Sequence, residues 1–362
     1  MTRPPRARAV LDSIPAYTPG RFAAPGGEAP TAVPANLSSN ELPYPTEPAV
    51  VDAVVEAART LNRYPDMAAA GLVAVLAARH GVEPSRIVPT TGSVAALYHL
   101  LQAYCDPLDE VVFAWRSFEA YPIAVTLPGA LAVTVGLDDA HRHDVTAVVD
   151  AISARTKVVL VCTPNNPTGP VITHDELERL VAAVPPEVVV VVDEAYVEFV
   201  TDPAAADGCA LLAGHPNVAV MRTLSKAWGL AGARVGYLVA SPEVAAATRK
   251  TSLPFGVSTL AQAAALATLA DEDGMRSRVA QVVGERDRLL PAVRALGFAV
   301  PESQANFFWL PVGEDAGALA AHLDAAGVIA RPFAGSGVRV TIGLPSENDR
   351  VLAALASWRR TG

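Results

Sequence analysis

The stretch EVVVVVDEA, residues 187–195, places five consecutive valines directly before a carboxylate. A strand with one solvated face alternates apolar and polar side chains, and this run shows no such alternation. Val188 to Val192 are therefore predicted to form a strand that helices cover on both faces. Further β-branched runs are RIVPT (86–90), EVVFAW (110–115), LAVTVG (131–136), KVVLVC (157–162), NVAVMRT (217–223) and RVGYLVA (234–240).

Longer Ala- and Leu-rich segments separate these runs, which predicts βα units around a mostly parallel sheet and hence an α/β fold class. After residue 245 long Ala-rich helices are followed by four short β-like runs, which predict a smaller α+β domain with antiparallel strands: GFAV (297–300), NFFWLPV (306–312), GVIARP (327–332) and GVRVTIG (337–343). The predicted divisions are an N-terminal arm (1–44) packing with the small domain, a large α/β domain (45–245) and the small domain (246–362).

Composition and charge exclude several functional classes. The chain has 362 residues, 51% of them hydrophobic, and a formal net charge of -9, which argues against a nucleic-acid partner. Cys105, Cys162 and Cys209 form no CxxC pattern, which fits a reducing cytoplasm. The basic N-terminus lacks the apolar segment of a secretory signal, and no stretch is apolar for the roughly 18 residues of a membrane span.

Common phosphate-loop, zinc-protease, nucleophile-elbow and EF-hand motifs are not found. His141 and His143, in HRH, could form a metal pair. A solvent-facing loop is the preferred interpretation, because no third ligand stands at a suitable spacing. No metal site is therefore predicted.

Four segments follow predicted strands and carry chemically related side chains. Ligands of parallel sheets bind beyond the carboxyl ends of the strands, so residues there are the first candidates. The segments are PTTGSVAAL (89–97), VCTPNNPTG (161–169), VVDEAYVEF (191–199) and TLSKAWGLAGARVG (223–236). Each by itself also fits an ordinary turn, helix cap or strand end.

The first and last of these segments together indicate an anion site beside an amine. Gly92 and Ser93 stand at a strand-to-helix turn, where free N–H groups and the helix dipole favour an anion. A phosphate monoester carries about -1.5 to -2 charges, whereas a helix terminus supplies about half a positive charge. Arg234 is therefore the predicted counter-ion, Ser93 and Ser225 complete the hydrogen bonds, and Lys226 supplies a nucleophilic amine.

The middle two segments carry a rigid amide and a carboxylate. Asn165 and Asn166 lie between two prolines, which restrict the backbone that presents the amide. Asp193 ends the valine strand, where an unpaired carboxylate would be costly to desolvate, so we expect it to have a partner. Tyr196 follows three residues later.

Taken together, these motifs resemble the histidinol-phosphate aminotransferase family of fold-type I enzymes, which use pyridoxal 5'-phosphate. The resemblance covers nearly the whole chain, and the series of motifs is specific although each one alone is weak. The motifs are SNELPYP (39–45), NRYPD (62–66), PNNPTG (164–169), DEAYVEF (193–199), TLSKAWGLAGARVG (223–236) and GVRVTIG (337–343). WRSFEAYP (115–122) and SQANFFWLP (303–311) look most like the actinobacterial aromatic (phenylalanine) aminotransferase branch.

The resemblance implies a role for each residue around the cofactor ring. Lys226 would form a Schiff base with the cofactor and, once freed, would move the Cα proton of the substrate. Asp193 would pair with the pyridine nitrogen. Asn166 and Tyr196 would hydrogen-bond the phenolic oxygen, and Phe118 would stack on the ring, with core packing as its alternative.

Phosphate binding is implied for Gly92, Ser93, Val94, Ser225 and Arg234. Many relatives carry an acidic residue at the position of Val94, so any role of that acid in ordering the loop is in doubt here. The backbone role of the loop does not depend on it.

The remaining implied contacts involve the substrate and a second subunit. Tyr64 would reach the phosphate from the partner chain, so the resemblance implies a homodimer. Arg339 would grip the substrate α-carboxylate in a bidentate fork. Arg331, Tyr17 and Asn40 are further candidates near the substrate, with surface or structural roles equally open.

The predicted activity is transfer of an amino group between an aromatic L-amino acid and a 2-oxo acid such as 2-oxoglutarate. Histidinol-phosphate aminotransferase is the main alternative, because it uses the same cofactor site. A decarboxylase of amino-acid phosphates and a non-catalytic protein that keeps the same scaffold are two less favoured readings of the same motifs.

Overall fold

The computed structural model describes residues 6–14 and 34–359. Its strands are β1 (Ala35–Asn36), β2 (Ile87–Thr90), β3 (Glu110–Trp115), β4 (Leu131–Gly136), β5 (Thr156–Cys162), β6 (Val189–Asp193), β7 (Val218–Thr223), β8 (Gly236–Ala240), β9 (Phe307–Gly313), β10 (Val328–Ile329), β11 (Arg331–Phe333) and β12 (Ser336–Thr341).

The α-helices are α1 (Pro48–Ala57), α2 (Ala70–His80), α3 (Ser93–Tyr104), α4 (Ala120–Thr126), α5 (Val145–Asp150), α6 (His174–Ala183), α7 (Gly208–Leu211), α8 (Pro242–Thr251), α9 (Thr259–Leu269), α10 (Glu272–Ala295), α11 (Ala316–Ala325) and α12 (Pro345–Ser357). Short 3-10 helices lie at Ala9–Ser13, Ala58–Thr60, Pro84–Arg86, Val197–Phe199 and Ala231–Ala233. None of the helices in the described ranges is long and apolar enough to cross a bilayer.

The central sheet has seven strands in the order β2-β8-β7-β6-β5-β3-β4. The neighbours from β7 to β4 pair in parallel, and β8 is antiparallel to both β7 and β2. The predicted α/β class with a mostly parallel central sheet is therefore confirmed.

Strand β6 lies in the middle of this sheet and is buried along its length. Val190 and Val192 pack into one apolar cluster, and Val189 and Val191 pack into the other, on the opposite face. Because successive side chains of a strand point to opposite faces, both faces of the sheet are covered. This confirms the interpretation of the valine run.

A smaller antiparallel sheet, in the order β11-β12-β9, follows the long helices. The prediction of a strand at residues 297–300 is wrong, because this segment forms a turn after α10 and an irregular connection. GVIARP divides into β10 and β11, and β10 pairs in parallel with β1 instead of joining the antiparallel sheet.

Strand β1 thus ties the N-terminal segment to the C-terminal part of the chain. The amide of Thr341 also donates to the carbonyl of Leu37 at 2.9 Å, which extends this connection to the end of β12. The domain boundaries at residues 44 and 245 stay predictions; residue 245 lies within α8.

Candidate active site

A cavity opens at the carboxyl ends of β5, β6 and β7, between the central sheet and the smaller antiparallel sheet. Residues of the segment after β1 close one side. The predicted site residues that line it are Asn40, Ser93, Val94, Phe118, Asn166, Asp193, Tyr196, Ser225, Lys226, Arg234, Arg331 and Arg339. Residues from separate segments along the whole chain therefore meet here, as expected for the carboxyl edge of a parallel sheet.

Lys226 follows β7 by three residues and extends into this cavity. Its Nζ donates to the carbonyl oxygen of Ser39 at 2.9 Å and lies 5.9 Å from the centroid of the Tyr196 ring. Desolvation lowers the pKa of Lys226 to about 7, and the positive charges of Arg339 and Arg234 contribute to this fall. A large neutral fraction at pH 7 makes this amine a nucleophile and a base.

Asp193 is buried at the end of β6, next to Lys226 in the cavity. Its Oδ2 accepts a hydrogen bond from the hydroxyl of Tyr121 at 2.8 Å, whereas Oδ1 has no partner among residues 6–14 and 34–359. Burial raises the pKa of Asp193 to about 6, and the hydrogen bond from Tyr121 opposes this rise. The free lone pairs of Oδ1 fit a cationic ring N–H donor.

Tyr121 was missed by the sequence reasoning, although it lies within the quoted segment WRSFEAYP. It is fully buried in α4, three residues after Phe118, and the two rings meet edge to face with centroids 5.6 Å apart. Only the folded structure shows that its hydroxyl reaches Asp193 at the end of β6.

The residues predicted to bind a phosphate converge at the start of α3. Gly92 has φ +90°, and a Cβ atom there would lie 2.6 Å from Nη2 of Arg234. The positive φ favours glycine at this position, and a side chain there would displace the guanidinium of Arg234 from the turn. Nη1 of Arg234 also donates to Oγ of Ser225 at 3.3 Å, and Ser93 is the first residue of the helix. A guanidinium, two hydroxyls and a helix N-terminus thus surround one point, a combination suited to a phosphate.

Asn166, Tyr196 and Arg339 are joined through Asn40 and the segment around it. Nη1 of Arg339 donates to Oδ1 of Asn166 at 2.5 Å, and Nη2 donates to the carbonyl of Ser38 at 2.6 Å. Nδ2 of Asn40 donates to the hydroxyl oxygen of Tyr196 at 2.9 Å. Burial raises the pKa of Tyr196, so the phenol is neutral and its proton can be donated into the cavity.

The hydrogen bonds of Asn165 give it a structural role that differs from the role of Asn166. Its Oδ1 accepts from Ser117 at 2.8 Å and lies 3.1 Å from Nε2 of His143, and its Nδ2 donates to Thr168 at 2.7 Å. The prediction of a solvent-facing loop is wrong for His143, which is buried in this network. Asn165 therefore holds together the two loops that present Phe118 and Asn166.

Arg331 lies at the mouth of the cavity and pairs with Glu119, with Nη2 and Oε2 2.7 Å apart. The ring of Phe333 lies between Arg331 and Arg339, with 5.8 Å from each guanidinium carbon to the ring centroid. Glu119 and Phe333 were not predicted. The sequence around them does not indicate a site role. Glu119 simply follows Phe118, and Phe333 follows a proline in an ordinary short strand.

Among the described residues, Gly92 and Tyr64 are the predicted site residues that do not line the cavity. Tyr64 is 81% exposed and stacks on Phe255, with ring centroids 4.6 Å apart. Its predicted contact with the phosphate of a second subunit stays a prediction. Tyr17 lies outside the described residues.

Comparison with known proteins agrees with this geometry. The curated aromatic amino acid aminotransferase of Streptomyces avermitilis is 51% identical over 356 residues, covering 98% of either chain. That of Thermobifida fusca is 49% identical over 357 residues, again covering 98% of each. The crystal structure of histidinol-phosphate aminotransferase from Sinorhizobium meliloti in complex with pyridoxal-5'-phosphate has a TM-score of 0.86 at 28% identity, covering 97% of this chain and 96% of that one.

The family model for aminotransferase class I and II matches residues 33–355, which include every residue of the cavity described above. The predicted family and enzyme class are confirmed by this match and by the relatives. The chain belongs to the aminotransferase class I and II family.

Proposed function

We propose that this protein is an aromatic amino acid aminotransferase. It moves the amino group of phenylalanine, tyrosine or tryptophan to a 2-oxo acid such as 2-oxoglutarate. The observation that carries the activity is that the amine of Lys226, 2.9 Å from the carbonyl oxygen of Ser39, and the buried carboxylate of Asp193 line one cavity. The substrate preference is supported by relatives of this name at about 50% identity over nearly the full length.

The cofactor is pyridoxal 5'-phosphate, and the residues of the site fit it. The cofactor, when bound, supplies an aldehyde and an electron-withdrawing ring. Ser93, Ser225 and Arg234 would hold its phosphate, and the unpartnered Oδ1 of Asp193 would accept the ring N–H. Each feature of the cofactor thus has a matching group in the cavity.

Lys226 is the acid and base of the proposed reaction. Its neutral amine would accept the Cα proton of the substrate at Nζ, and the same Nζ would pass that proton on to the cofactor carbon. The carbonyl of Ser39, 2.9 Å from Nζ, orients the amine. A lysine with an unshifted pKa would hold its proton at pH 7 and could not accept another.

The substrate α-carboxylate is bound by Arg339, whose planar guanidinium suits a two-point contact. The hydrogen bonds of Arg339 to Asn166 and Ser38 fix its orientation. The rings of Phe118 and Phe333 line the same cavity and offer apolar surface to an aromatic side chain.

Histidinol-phosphate aminotransferase is the second candidate, and its support is the structural likeness at 28% identity. The test is a panel of kcat/KM values for phenylalanine, tyrosine, tryptophan and histidinol phosphate, with 2-oxoglutarate as acceptor. We expect the aromatic amino acids to lead. A strong preference for histidinol phosphate would overturn the proposed substrate, and release of carbon dioxide would indicate a decarboxylase.

Attachment of the cofactor is tested separately from turnover. Borohydride reduction followed by peptide mapping should label Lys226 and leave Lys157 and Lys250 unlabelled. The variant Lys226→Ala should give no labelled peptide. Label on another lysine, with Lys226 unlabelled, would contradict the assignment.

We also propose a cytoplasmic homodimer. Tyr64 and Phe255 form an exposed aromatic pair, and Leu61, Met67 and Leu253 are exposed nearby in the chain. Contact with a second subunit would remove this apolar surface from water. Sedimentation should give twice the mass of one chain, and Tyr64→Phe should weaken cofactor binding although Tyr64 does not line the cavity of its own chain. A monomer with full affinity would refute this assignment.

A further inference from the structure

Two arginines stand side by side at the substrate end of the cavity. Arg331 and Arg339 are directly opposite each other in the antiparallel pair of β11 and β12. Opposed residues of such a pair point to the same face of the sheet, and both guanidiniums flank the ring of Phe333. Two adjacent guanidiniums are suited to a dianion such as a phosphate monoester, more than to a carboxylate with a single charge.

Glu119 offsets part of the positive charge of the two arginines. Glu119 is the residue directly before α4, and its Oε2 lies 2.7 Å from Nη2 of Arg331. The side chains are 31% and 9% exposed, so the ion pair is largely shielded from water. Among the described residues that line the cavity, Glu119 and Asp193 are the acidic ones, and Asp193 lies at the cofactor end.

We propose that Glu119 is a specificity-determining residue that excludes substrates carrying a phosphate in place of the α-carboxylate. By pairing with Arg331 it leaves the carboxylate of an amino acid to Arg339. A phosphate dianion in the same place meets the negative charge of Glu119 and gains the second arginine only by separating a shielded ion pair. Rejection by a like charge is a common way to build specificity.

Arg116 adds a further positive charge near Phe333 and does not take the place of the Glu119–Arg331 ion pair. Its guanidinium carbon lies 5.5 Å from the centroid of Phe333, and its Nε donates to Oγ of Ser336 at 3.0 Å. Glu119 is therefore the carboxylate that offsets a group of cations around Phe333. Removal of its charge leaves that end of the cavity strongly positive.

The inference rests on the proposed function, and the test compares two amino donors with the same side chain. Phenylalanine carries a carboxylate on Cα and phenylalaninol phosphate carries a phosphomethyl group there, so the change in their kcat/KM ratio between variant and wild type reports the effect of the variant on the choice of anion. Glu119→Gln keeps the size of the side chain and removes its charge. We expect the ratio of phenylalaninol phosphate to phenylalanine to rise roughly tenfold or more, the scale of one removed like-charge contact.

Two further variants make the result specific. Glu119→Asp keeps the charge and should keep a low ratio, whereas Glu119→Ala removes the charge and should raise the ratio like Gln. The matched control is Glu272→Gln, because Glu272 pairs with Arg79 at the same distance of 2.7 Å but lies outside the cavity. It should leave the ratio unchanged.

An unchanged ratio in both Glu119→Gln and Glu119→Ala would overturn the inference. So would an equal loss for both donors, which a purely structural role predicts. If the wild-type holoenzyme turned over neither phenylalanine nor tyrosine, the proposed function would fail instead. The two failures are thus distinguishable in one set of measurements.

Discussion

Charged side chains have different surroundings at the two ends of the cavity. At the cofactor end, Lys226 and Asp193 lie at the carboxyl edge of the parallel sheet, and burial shifts the pKa values to about 7 and about 6. At the substrate end, Arg331 and Glu119 form an ion pair that is largely shielded from water, so their opposite charges offset each other. Desolvation tunes proton transfer, whereas pairing selects the anion that enters.

The difference follows from where each end is built. The cofactor end follows strands whose two faces are covered, so polar groups there lose water. The substrate end comes from the three-stranded sheet and the residue before α4, where Arg331 and Arg339 are also buried. There an oppositely charged side chain lies within contact distance, so pairing offsets the charge of Arg331.

Loss of Lys226 should have the largest effect, because it removes the reactive amine of the cofactor end. Lys226→Ala is expected to lower kcat by ~10⁴-fold or more, because nucleophile and general base are lost together. Some cofactor should remain bound through Ser93, Ser225 and Arg234. Turnover and the absorbance of the bound cofactor measure the two effects, with the exposed Lys250→Ala as control. Turnover near that of the wild type would refute the role of Lys226.

Asp193→Asn tests whether the charge at this end is needed. The amide keeps the size but cannot stabilise a protonated pyridine nitrogen, and we expect kcat to fall by about 10²–10³-fold, as when one preorganised electrostatic contact is removed. The KM for the amino acid should change little, since Arg339 is untouched. Single-turnover rates measure the step directly. A main effect on KM instead would show that the two ends are not separate in function.

At the substrate end, Arg339→Lys should weaken carboxylate binding. The point charge of lysine cannot copy the planar fork, and we expect a loss of about 1.5–3 kcal/mol in kcat/KM, the range for hydrogen bonds to charged groups. Steady-state kinetics with phenylalanine measure this loss. The surface substitution Arg59→Lys serves as control. An unchanged KM for every amino acid would count against Arg339 as the carboxylate ligand.

The smallest effect is expected for Tyr121→Phe. This substitution alters the pKa of Asp193 and therefore tests the cofactor end by itself. The hydroxyl of Tyr121 stabilises the charged form of Asp193, so its loss should raise the pKa of Asp193 further above its usual range. Asp193 then becomes protonated at higher pH, and the acid limb of the kcat profile should move upward. The loss at the optimum should be about 1 kcal/mol. An unmoved acid limb would indicate that Tyr121 only fills space.

Much of the cofactor end could be predicted because its residues stand at fixed offsets from strands. The valine run predicts a buried strand, and a carboxylate directly after it must lie at the sheet edge. Gly92 and Arg234 are predicted by the needs of a phosphate, and the structure shows their close approach. The resemblance supplied the roles of Asn166 and Tyr196, which the local patterns alone left as a turn and a strand end.

Other contacts could not be predicted, because they join segments far apart in the chain. Glu119 and Arg331 are separated by 212 positions, and no local pattern relates them. His143 looked like part of a polar loop, yet it is buried against Asn165. A side chain that hydrogen-bonds across segments has the same local sequence as one that faces water.

By itself, the sequence determined the alternation of strands and helices, the candidate amine and carboxylate for the chemistry, and the family. These depend on residue type and on short spacing, which periodicity and backbone geometry translate directly into structure. Only the tertiary structure decided the shifted pKa of Lys226 and the pairing of Arg331 with Glu119. Both depend on which groups surround a charge and how much water they exclude, and these are properties of the packed chain.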